Sequence, residues 1–396
     1  MKMKVLIADK FPEQYIQRLK DAEIEVIYNP KLGENDLPEA AKNVDCLVVR
    51  STNVSAETIE KSQNLNLIVR AGSGVNNINI AAANKKGVYV SNCPGKNSIA
   101  VAELAIGMML ALDRRIPHNV IDFRKGIWNK GEYSKAEGLY GKTLAIVGYG
   151  AIGKEVAKRA QALGMSIYAK DITRIEGYGA KDFSEFDQVL PIADIVTVHL
   201  PQNSETKNLF DDKMFGYMKK GAIFINTSRA GVVNEEALIR AVKEKGLKVG
   251  LDVFQGEPEA KDGPVSSKLQ ELDNVYITHH IGASTEQAQN AVAEETVNII
   301  LGFINSGVIA HWVNKAKTPE THYQLVVKHY DKPGVLASVL DVLREGDINI
   351  EEVKNIIFDG GLVACCTMKL KAPATTEMLE AIRNNSNVLS YSHVSI

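Results

Sequence analysis

The chain has 396 residues, of which 45% are hydrophobic and 24% are charged, values typical of a globular protein with about two or three domains. The 46 Lys and Arg residues nearly balance the 48 Asp and Glu residues, and a net charge of −2 argues against nucleic acid or a membrane surface as the main partner. The most apolar stretch, residues 105–112, is much shorter than the roughly 20 residues that cross a bilayer. Four cysteines without the spacing of metal ligands predict neither a metal site nor a disulfide framework, which indicates a cytoplasmic protein.

The first part of the chain alternates short apolar runs with amphipathic stretches. The runs predict strands at residues 5–8, 24–27, 46–49, 67–69 and 88–90, and the stretches predict helices at 13–22 and 55–61. Continuous apolar strands separated by helices predict an α/β fold with a parallel sheet that is covered on both faces. Residues 98–112 are apolar nearly all round, which predicts a helix buried between layers or between subunits.

A second series of the same kind follows. Its strands are predicted at residues 143–147, 166–169, 195–198, 222–225, 249–252 and 275–278. This number of strands, with helices between them, predicts a doubly wound nucleotide-binding sheet. One long helix is predicted at 285–304, and the polar segment 314–320, which contains a proline, is predicted to be a linker.

The last part of the chain follows a different plan. Strands are predicted at 323–329, 348–358, 362–370 and 388–394, and helices at 335–345 and 376–384. The resulting order, β-α-β-β-α-β, is the ferredoxin-like arrangement. The sequence therefore predicts two doubly wound parallel-sheet domains followed by a small ferredoxin-like domain.

A glycine-rich turn directly follows the strand at 143–147. Gly148, Gly150 and Gly153 have the G-x-G-x-x-G spacing, in which the glycines allow a tight turn, room for a pyrophosphate, and close packing of the next helix on the strand. The start of that helix, with Ala151 and Ile152, offers unpaired N–H groups to phosphates. Asp171 lies 18 residues beyond Gly153, where a carboxylate can bind both ribose hydroxyls and repel a 2′-phosphate.

This acid favours NAD over NADP as the cofactor. Two neighbouring cations, Lys170 and Arg174, leave the NADP alternative open.

Three later strands end in polar residues, and open α/β sheets bind their ligands at these ends. The segments contain Arg229, Glu257 and His280. Together these types suit a 2-hydroxy acid, because a fixed cation binds its carboxylate, a base takes the hydroxyl proton, and an acid holds the base. Taken singly, each has an ordinary structural explanation as a surface ion pair, a turn residue or a core histidine.

The order of four motifs resembles the D-isomer-specific 2-hydroxyacid dehydrogenases. The motifs are G-x-G-x-x-G at 148, N-x-S-R-x-G at 226, L-D-V-F-x-x-E-P at 251 and H-x-G-A at 280. The resemblance runs from residue 1 to about Trp312. It implies a discontinuous, flavodoxin-like substrate-binding domain formed by residues 1–98 and 282–312, around an NAD-binding Rossmann domain at 99–281.

The resemblance also implies roles for single residues. Arg229 would bind the substrate carboxylate, His280 would take the hydroxyl proton, and Glu257 would orient His280 and raise its pKa. His279 remains a rival base, since the family often has proline at this position, and Asp252 would lie near the nicotinamide carboxamide. The other residues that the resemblance assigns to the cofactor site are Ser73, His199, Leu200, Thr227, Ser228 and Gly282.

Several segments are most similar to family members that oxidise 3-phosphoglycerate in L-serine biosynthesis. Arg50 is the first candidate for the phosphate, and Lys130, reaching over from a partner subunit, is the second. Some relatives have a second arginine where this chain has Thr52, which weakens the phosphate assignment. The loop after the fourth strand is expected to bind the carboxylate through successive N–H groups; its residues are Arg70, Ser73, Gly74 and Val75.

The last domain, residues 320–396, resembles the ACT domain, a small amino-acid-binding module. His329, Asp331 and Asn349 are the residues expected to bind an effector, and L-serine is the expected one, where two such modules meet. The resemblance implies a homodimer or homotetramer. The alternatives are a dehydrogenase acting on glycerate, lactate or 2-hydroxyglutarate, and an NADH-sensing binding protein without activity.

Overall fold

The computed structural model describes residues 2–258, 263–316 and 323–395. The chain forms two compact units, Met1–Asn314 and Lys315–Ile396, each with its own hydrophobic core. In the described ranges, no helix has both the length and the apolar character that a bilayer span requires. Among these residues, the first unit contains two parallel sheets and the second contains one antiparallel sheet.

The first sheet is built from the amino-terminal residues. Its strands and the helices between them are β1 Lys4–Ile7, α1 Glu13–Asp21, β2 Glu25–Tyr28, α2 Leu37–Ala40, β3 Cys46–Val49, α3 Ala56–Lys61, β4 Leu67–Arg70, α4 Ile80–Lys86 and β5 Tyr89–Asn92. All neighbours are parallel, in the spatial order β2-β1-β3-β4-β5, which is the flavodoxin-like order. The predicted strands are confirmed, with ends that differ by one or two residues.

Three helices follow the first sheet, and they are α5 Ser98–Arg114, α6 Ile116–Arg124 and α7 Lys130–Tyr133. One side of α5 is buried against the second sheet through Ala105, Met109 and other apolar residues. Its opposite side leaves Ile99 and Leu110 exposed, and beyond α5 the side chains of Phe123 and Trp128 are 71% and 82% exposed. An apolar surface of this kind is typical of a contact with another chain.

The second sheet has seven parallel strands. Its elements are β6 Thr143–Val147, α8 Ala151–Ala162, β7 Ser166–Lys170, β8 Lys181–Asp182, α9 Phe186–Val189, β9 Ile195–Val198, α10 Asp212–Tyr217, β10 Ile223–Asn226, α11 Glu235–Lys245, β11 Lys248–Leu251 and β12 Val275–Ile277. The spatial order is β12-β11-β10-β9-β6-β7-β8. Because the order reverses between β6 and β9, the carboxyl ends of these strands form the crevice in which doubly wound sheets bind ligands.

After β12 the chain returns to the first sheet as α12 Glu286–Ser306. Val297 and Ile300 in this helix are fully buried in the cluster that covers β1, β3 and β4. Further on, Trp312 forms a β-bridge to Ser91, and the Asn314 side chain accepts a hydrogen bond from Val90 N at 2.8 Å. The segment 286–314 therefore packs on the first sheet.

The second unit is a four-stranded antiparallel sheet with two helices. Its elements are β13 Tyr323–Tyr330, α13 Val335–Glu345, β14 Ile350–Ile357, β15 Val363–Leu370, α14 Thr376–Arg383 and β16 Val388–Ser395. The order β14-β15-β13-β16 is ferredoxin-like, as predicted. β14 is an edge strand, and the Val353, Ile356 and Ile357 side chains on it are about half exposed.

Two sequence expectations need correction in the larger unit. The strand β8 was missed because its two residues are both exposed and give no apolar pattern. The predicted linker begins too early, since the Asn314 side chain is bonded to Val90 N and also donates to Val88 O at 3.0 Å. The rest of that prediction, residues 317–320, lies outside the described residues.

Candidate active site

The turn between β6 and α8 is shaped to accept a dinucleotide. A Cβ on Gly148 would lie 2.4 Å from His199 O, and a Cβ on Gly153 would lie 2.2 Å from Gly148 O, so both glycines are required for packing. Beside Gly150, by contrast, a Cβ would meet no atom within 4 Å, and this open space lies at the start of α8. The first turn of α8, which begins with Ala151 and has no side-chain cap, is therefore free to bind phosphate oxygens.

Asp171 follows β7 at the same edge of the sheet. Its carboxylate accepts hydrogen bonds from Tyr149 N at 2.6 Å and from Thr173 N at 3.0 Å. Burial by itself would raise the pKa of Asp171, but these hydrogen bonds lower it below its ordinary value. A carboxylate that stays ionised next to the glycine turn fits a ribose diol and repels a 2′-phosphate.

The two cations that left NADP open are both engaged elsewhere. Lys170 Nζ donates to Ser184 O and lies over the Phe183 ring, with 5.8 Å between the nitrogen and the ring centroid. Arg174 pairs with Glu176 at 3.2 Å on an exposed surface. Neither cation is engaged with Asp171, so the geometry favours NAD.

His199 and Leu200, which the family resemblance assigns to the cofactor site, lie against the glycine turn. The Leu200 side chain is 3.1 Å from the position of a Cβ on Gly148. His199 Nε2 is 2.9 Å from Thr197 Oγ1, and its Nδ1 is 3.5 Å from Thr227 Oγ1. Burial lowers the pKa of His199 to about 3, which makes this imidazole a weak proton acceptor.

Arg229 follows β10 and lies against the loop after β4. A Cβ on Gly74 would come within 2.5 Å of Arg229 Nη2, so the loop leaves room for the guanidinium only because residue 74 is glycine. The other side of the guanidinium is fixed, since Nη1 donates to Ser228 O at 2.7 Å. The backbone of this segment is held by Asn226, whose Oδ1 accepts from Ser228 Oγ at 2.8 Å and whose Nδ2 donates to Arg229 O at 3.0 Å.

His280 and Glu257 form the pair that the sequence predicted. His280 Nδ1 is 2.8 Å from Glu257 Oε2, and Phe254 N donates to the other oxygen of this carboxylate at 2.9 Å. The hydrogen bond to Glu257 raises the pKa of His280 above its ordinary value, and burial opposes this effect only in part. His280 also has a left-handed backbone (φ 51°), which is uncommon for a residue other than glycine and turns the chain at this point.

Asp252 has a structural role that the sequence did not reveal. Its Oδ1 accepts hydrogen bonds from Thr278 Oγ1 at 2.6 Å and from Ile281 N at 2.8 Å. Its Oδ2 accepts one from Gly282 N at 2.8 Å. The buried carboxylate therefore fastens the loop on both sides of His280. A Cβ on Gly282 would lie 2.9 Å from Oδ2, which explains the glycine there.

A cavity of about 490 Å³ lies next to this pair. Arg50, Arg70 and His280 all line it, whereas His279 does not. Burial, together with the positive charges of Arg229 and Arg50, lowers the pKa of Arg70 to about 10. Arg50, Arg70 and His280 around the cavity, with Arg229 close to Arg70, suit a small anion with more than one negative charge.

Asp9 lines the same cavity and was not predicted. Its Oδ2 accepts hydrogen bonds from Arg50 N at 2.7 Å and from Thr52 N at 3.1 Å, and its Oδ1 accepts one from Ser51 Oγ at 2.9 Å. This carboxylate fixes the backbone that carries Arg50. No sequence motif could have identified it, because the partners are more than 40 residues apart.

Other predicted site residues lie outside this cavity. Ser73 Oγ donates to Asn97 Oδ1 at 3.0 Å, which joins the loop after β4 to the start of α5. The Val75 side chain packs on the apolar cluster of the first sheet. Lys130 is exposed at the start of α7 and lines a separate groove with Trp128. In a single chain, then, Lys130 is not part of the arginine cavity.

The predicted effector residues are not at one edge of the second unit. Asp331 follows the carboxyl end of β13, whereas Asn349 precedes β14, which runs parallel to β13. The two residues are separated by roughly 24 Å, the length of an eight-residue strand. His329 is 2% exposed, and its Nδ1 donates to Tyr330 O at 2.8 Å. The expectation of one shared edge is therefore wrong for a single chain.

The glycine turn, the acid after β7 and the Arg–Glu–His arrangement are typical of a dehydrogenase that uses a dinucleotide and acts on a 2-hydroxy acid. Residues 106–282 match the sequence profile of the "D-isomer specific 2-hydroxyacid dehydrogenase, NAD binding domain". The chain belongs to the D-isomer-specific 2-hydroxyacid dehydrogenase family, and its cofactor is NAD.

The chain is similar in sequence to family members with different activities in their names. The chain is 37% identical to D-3-phosphoglycerate dehydrogenase of Methanocaldococcus jannaschii over 371 residues, which cover 91% of this chain and 68% of that protein. It is 39% identical to hydroxypyruvate reductase of Thermotoga maritima over 75% of this chain and 97% of that protein. It spans only 58% of the D-3-phosphoglycerate dehydrogenase of Archaeoglobus fulgidus, to which it is 40% identical over 76% of its own length.

Solved structures agree with the fold. The NAD+-bound 3-phosphoglycerate dehydrogenase in Entamoeba histolytica superposes with a TM-score of 0.67 and 29% identity, over 80% of this chain and all of that chain. A 2-hydroxyacid dehydrogenase from Polaromonas gives a TM-score of 0.72 and 28% identity, over 79% of this chain and all of that chain.

Proposed function

We propose that the protein oxidises the C2 hydroxyl of D-3-phosphoglycerate to 3-phosphohydroxypyruvate with NAD, which is the first step of L-serine biosynthesis. The observation that carries the proposal is the group of Arg50, Arg70 and His280 around one cavity, with Arg229 close to Arg70. An unphosphorylated monoacid has one negative charge, whereas this substrate has a carboxylate and a phosphate group. The names of several relatives support the same substrate.

Arg229, His280 and Glu257 have different roles in the proposed reaction. Arg229 binds the substrate carboxylate, and its guanidinium is fixed by Ser228 O and by the lack of a side chain at Gly74. His280 takes the hydroxyl proton through Nε2, because Nδ1 is bonded to Glu257. When NAD is bound, it accepts the hydride that leaves C2. Glu257 keeps His280 oriented and stabilises its protonated form.

The phosphate group of the substrate binds to Arg50, with Lys130 of a second copy as the other cation. This arrangement needs an assembly, which we propose to be a homodimer or homotetramer in the cytoplasm. The assembly would use the exposed apolar side chains in the region from α5 to α7, which include Phe123 and Trp128.

We propose three domains for the chain. Residues 1–98 and 282–312 bind the substrate, residues 99–281 bind NAD, and residues 320–396 form an ACT domain. The packing of 286–314 on the first sheet supports the first of these.

The substrate assignment is tested by measuring NADH formation at alkaline pH. We expect kcat/KM with 3-phosphoglycerate to exceed that with D-glycerate and D-lactate by about a hundredfold or more, because burying cations without their anion is costly. D-2-hydroxyglutarate has a second carboxylate with one charge, so the preference over this acid should be smaller, about tenfold. Comparable activity on an unphosphorylated acid would overturn the substrate and leave the dehydrogenase class intact. Tight NADH binding without turnover of any acid would instead favour a sensing protein.

We also propose that L-serine binds the second unit as an effector. Because Asp331 and Asn349 lie at opposite ends of one unit, the site requires two units. Antiparallel pairing of two β14 edge strands would bring the Asn349 end of one to the Asp331 end of the other. Calorimetric titration with L-serine tests this, with Asp331→Ala and Asn349→Ala each expected to abolish the heat signal. If no amino acid binds the intact protein, the unit has only a structural role.

A further inference from the structure

The substrate cavity is also lined by a lysine that no motif indicated. Lys10 lines the cavity together with Arg50, Arg70 and His280. It follows β1, whereas Arg50 follows β3 and Arg70 ends β4, and these three strands are neighbours in the sheet. Neighbouring strands are about 4.8 Å apart, so the three cations stand in a row along the carboxyl edge of the sheet.

The backbone around Lys10 is held close to Arg50. Asp9, the residue before it, accepts hydrogen bonds from Arg50 N, Ser51 N and Thr52 N at 2.7, 3.0 and 3.1 Å. These bonds hold the segment that carries Lys10 next to the segment that carries Arg50. Among the described residues, no ion pair within 4.0 Å involves Lys10 Nζ, so this ammonium can bind a ligand.

The charge balance of the cavity indicates which part of a ligand Lys10 would bind. Arg229 lies against the loop that contains Gly74 and is close enough to Arg70 to affect its pKa, and these two side chains match a carboxylate. A phosphate monoester has about two negative charges above pH ~6. Within one chain Arg50 is the single cation so far assigned to them, and the other, Lys130, must come from a second copy. The helix α1, which begins at Glu13, adds its amino-terminal dipole, because Pro12 lines the same cavity and no side chain caps the helix.

We propose that Lys10 is a specificity-determining residue, which binds the phosphate of the substrate together with Arg50 and selects phosphorylated over unphosphorylated 2-hydroxy acids. The proposal rests on the proposed function, and it adds to Arg50 and to Lys130 of a second copy a further cation from the same chain as Arg50. At position 52, where a second arginine could have stood, this chain has Thr52, whose N–H is bonded to Asp9. Lys10 supplies a positive charge here from the segment that follows the neighbouring strand β1.

The test is a comparison of Lys10→Met, Lys10→Arg and the wild type with two substrates. In Lys10→Met we expect kcat/KM for 3-phosphoglycerate to fall about tenfold, mainly through KM, as for loss of one hydrogen bond to a charged group. With D-glycerate we expect no more than about a twofold change, and Lys10→Arg should retain most of the activity because it keeps the charge. Lys85→Met is the matched control, since Lys85 is exposed in the last turn of α4, which leads to the opposite edge of the sheet.

The outcomes separate this proposal from the proposed function. If Lys10→Met changes neither substrate, or changes both equally, the assignment of Lys10 is wrong and the function stands. If the wild type does not oxidise 3-phosphoglycerate, the function fails, and Lys10 is then judged by calorimetry with inorganic phosphate on the NADH-bound protein. Weaker phosphate binding in Lys10→Met, but not in Lys85→Met, would support the site. Equal binding in all three proteins would overturn it.

Discussion

Replacing Gly74 by alanine should displace the Arg229 guanidinium and lower the activity while the stability of the fold changes little. The backbone at Gly74 does not have a positive φ, so an alanine is not strained there by its own conformation. Its Cβ, however, would lie 2.5 Å from Arg229 Nη2 and 3.7 Å from Arg229 Cζ. The guanidinium is the far end of a flexible side chain, and we expect it to move while the loop stays in place.

The size of the effect follows from that contact. Non-bonded heavy atoms approach to about 3.5 Å, so the nitrogen must move by about 1 Å. A misplacement of about 1 Å in a group that positions the substrate can cost about a hundredfold in rate. We therefore expect kcat/KM of Gly74→Ala to fall about a hundredfold, with a cost in unfolding free energy of about 1 kcal/mol or less.

The assay measures steady-state NADH formation, NADH affinity by fluorescence, and the melting temperature. Gly302→Ala is the control, because its Cβ in α12 would be 3.8 Å from its nearest neighbour, Val308 O, an ordinary contact. Gly74→Ala should keep the NADH affinity of the wild type, since the cofactor turn at Gly148 is elsewhere. Wild-type kcat/KM in a stable Gly74→Ala protein would refute the proposed role of Arg229 at that position.

The other predictions concern the base and the cofactor. His280→Ala should lower turnover at least about a hundredfold and His279→Ala only slightly, and the reverse result would exchange their roles. The pKa of His280 is raised by Glu257, so oxidation, which needs the neutral imidazole, should fall as the pH drops below that raised value. In Glu257→Gln the acidic limb of the kcat/KM profile should move to lower pH, and an unmoved limb would contradict the pair. Asp171→Ala should weaken NAD and improve the relative use of NADP, measured as the ratio of kcat/KM values; an unchanged ratio would remove Asp171 from the ribose site.

The fold was predictable from sequence wherever a strand is buried on both faces. The strands Cys46–Val49, Thr143–Val147 and Ile195–Val198 have the predicted bounds, because every residue of such a strand is apolar or nearly so. The helix Val335–Glu345 was also predicted with the bounds that the structure shows, because its apolar residues recur with the period of a helix. The short helix Leu37–Ala40 was missed, since four residues give too little of a pattern to identify a helix.

The candidate site was predictable only in those residues that act within a local motif. The pair of Glu257 and His280 follows from motifs, and the structure brings the two side chains together at 2.8 Å. Asp9 and the loop-fastening role of Asp252 could not be predicted, because their partners are distant in sequence and are reached only in the folded chain. In the sequence, a single acidic residue after a strand looks the same whether its carboxylate accepts hydrogen bonds from a distant loop or is exposed to solvent.

The same reasoning explains the effector prediction that was wrong for one chain. Asp331 and Asn349 are close along the sequence, being separated only by a loop and the helix α13. A strand-helix-strand connection with parallel strands, however, returns the chain to the end of the sheet at which it began, so residues that flank the helix lie at opposite ends. Asp331 and Asn349 are therefore near each other in sequence but far apart in this unit. A ligand that contacts both residues must lie between two copies.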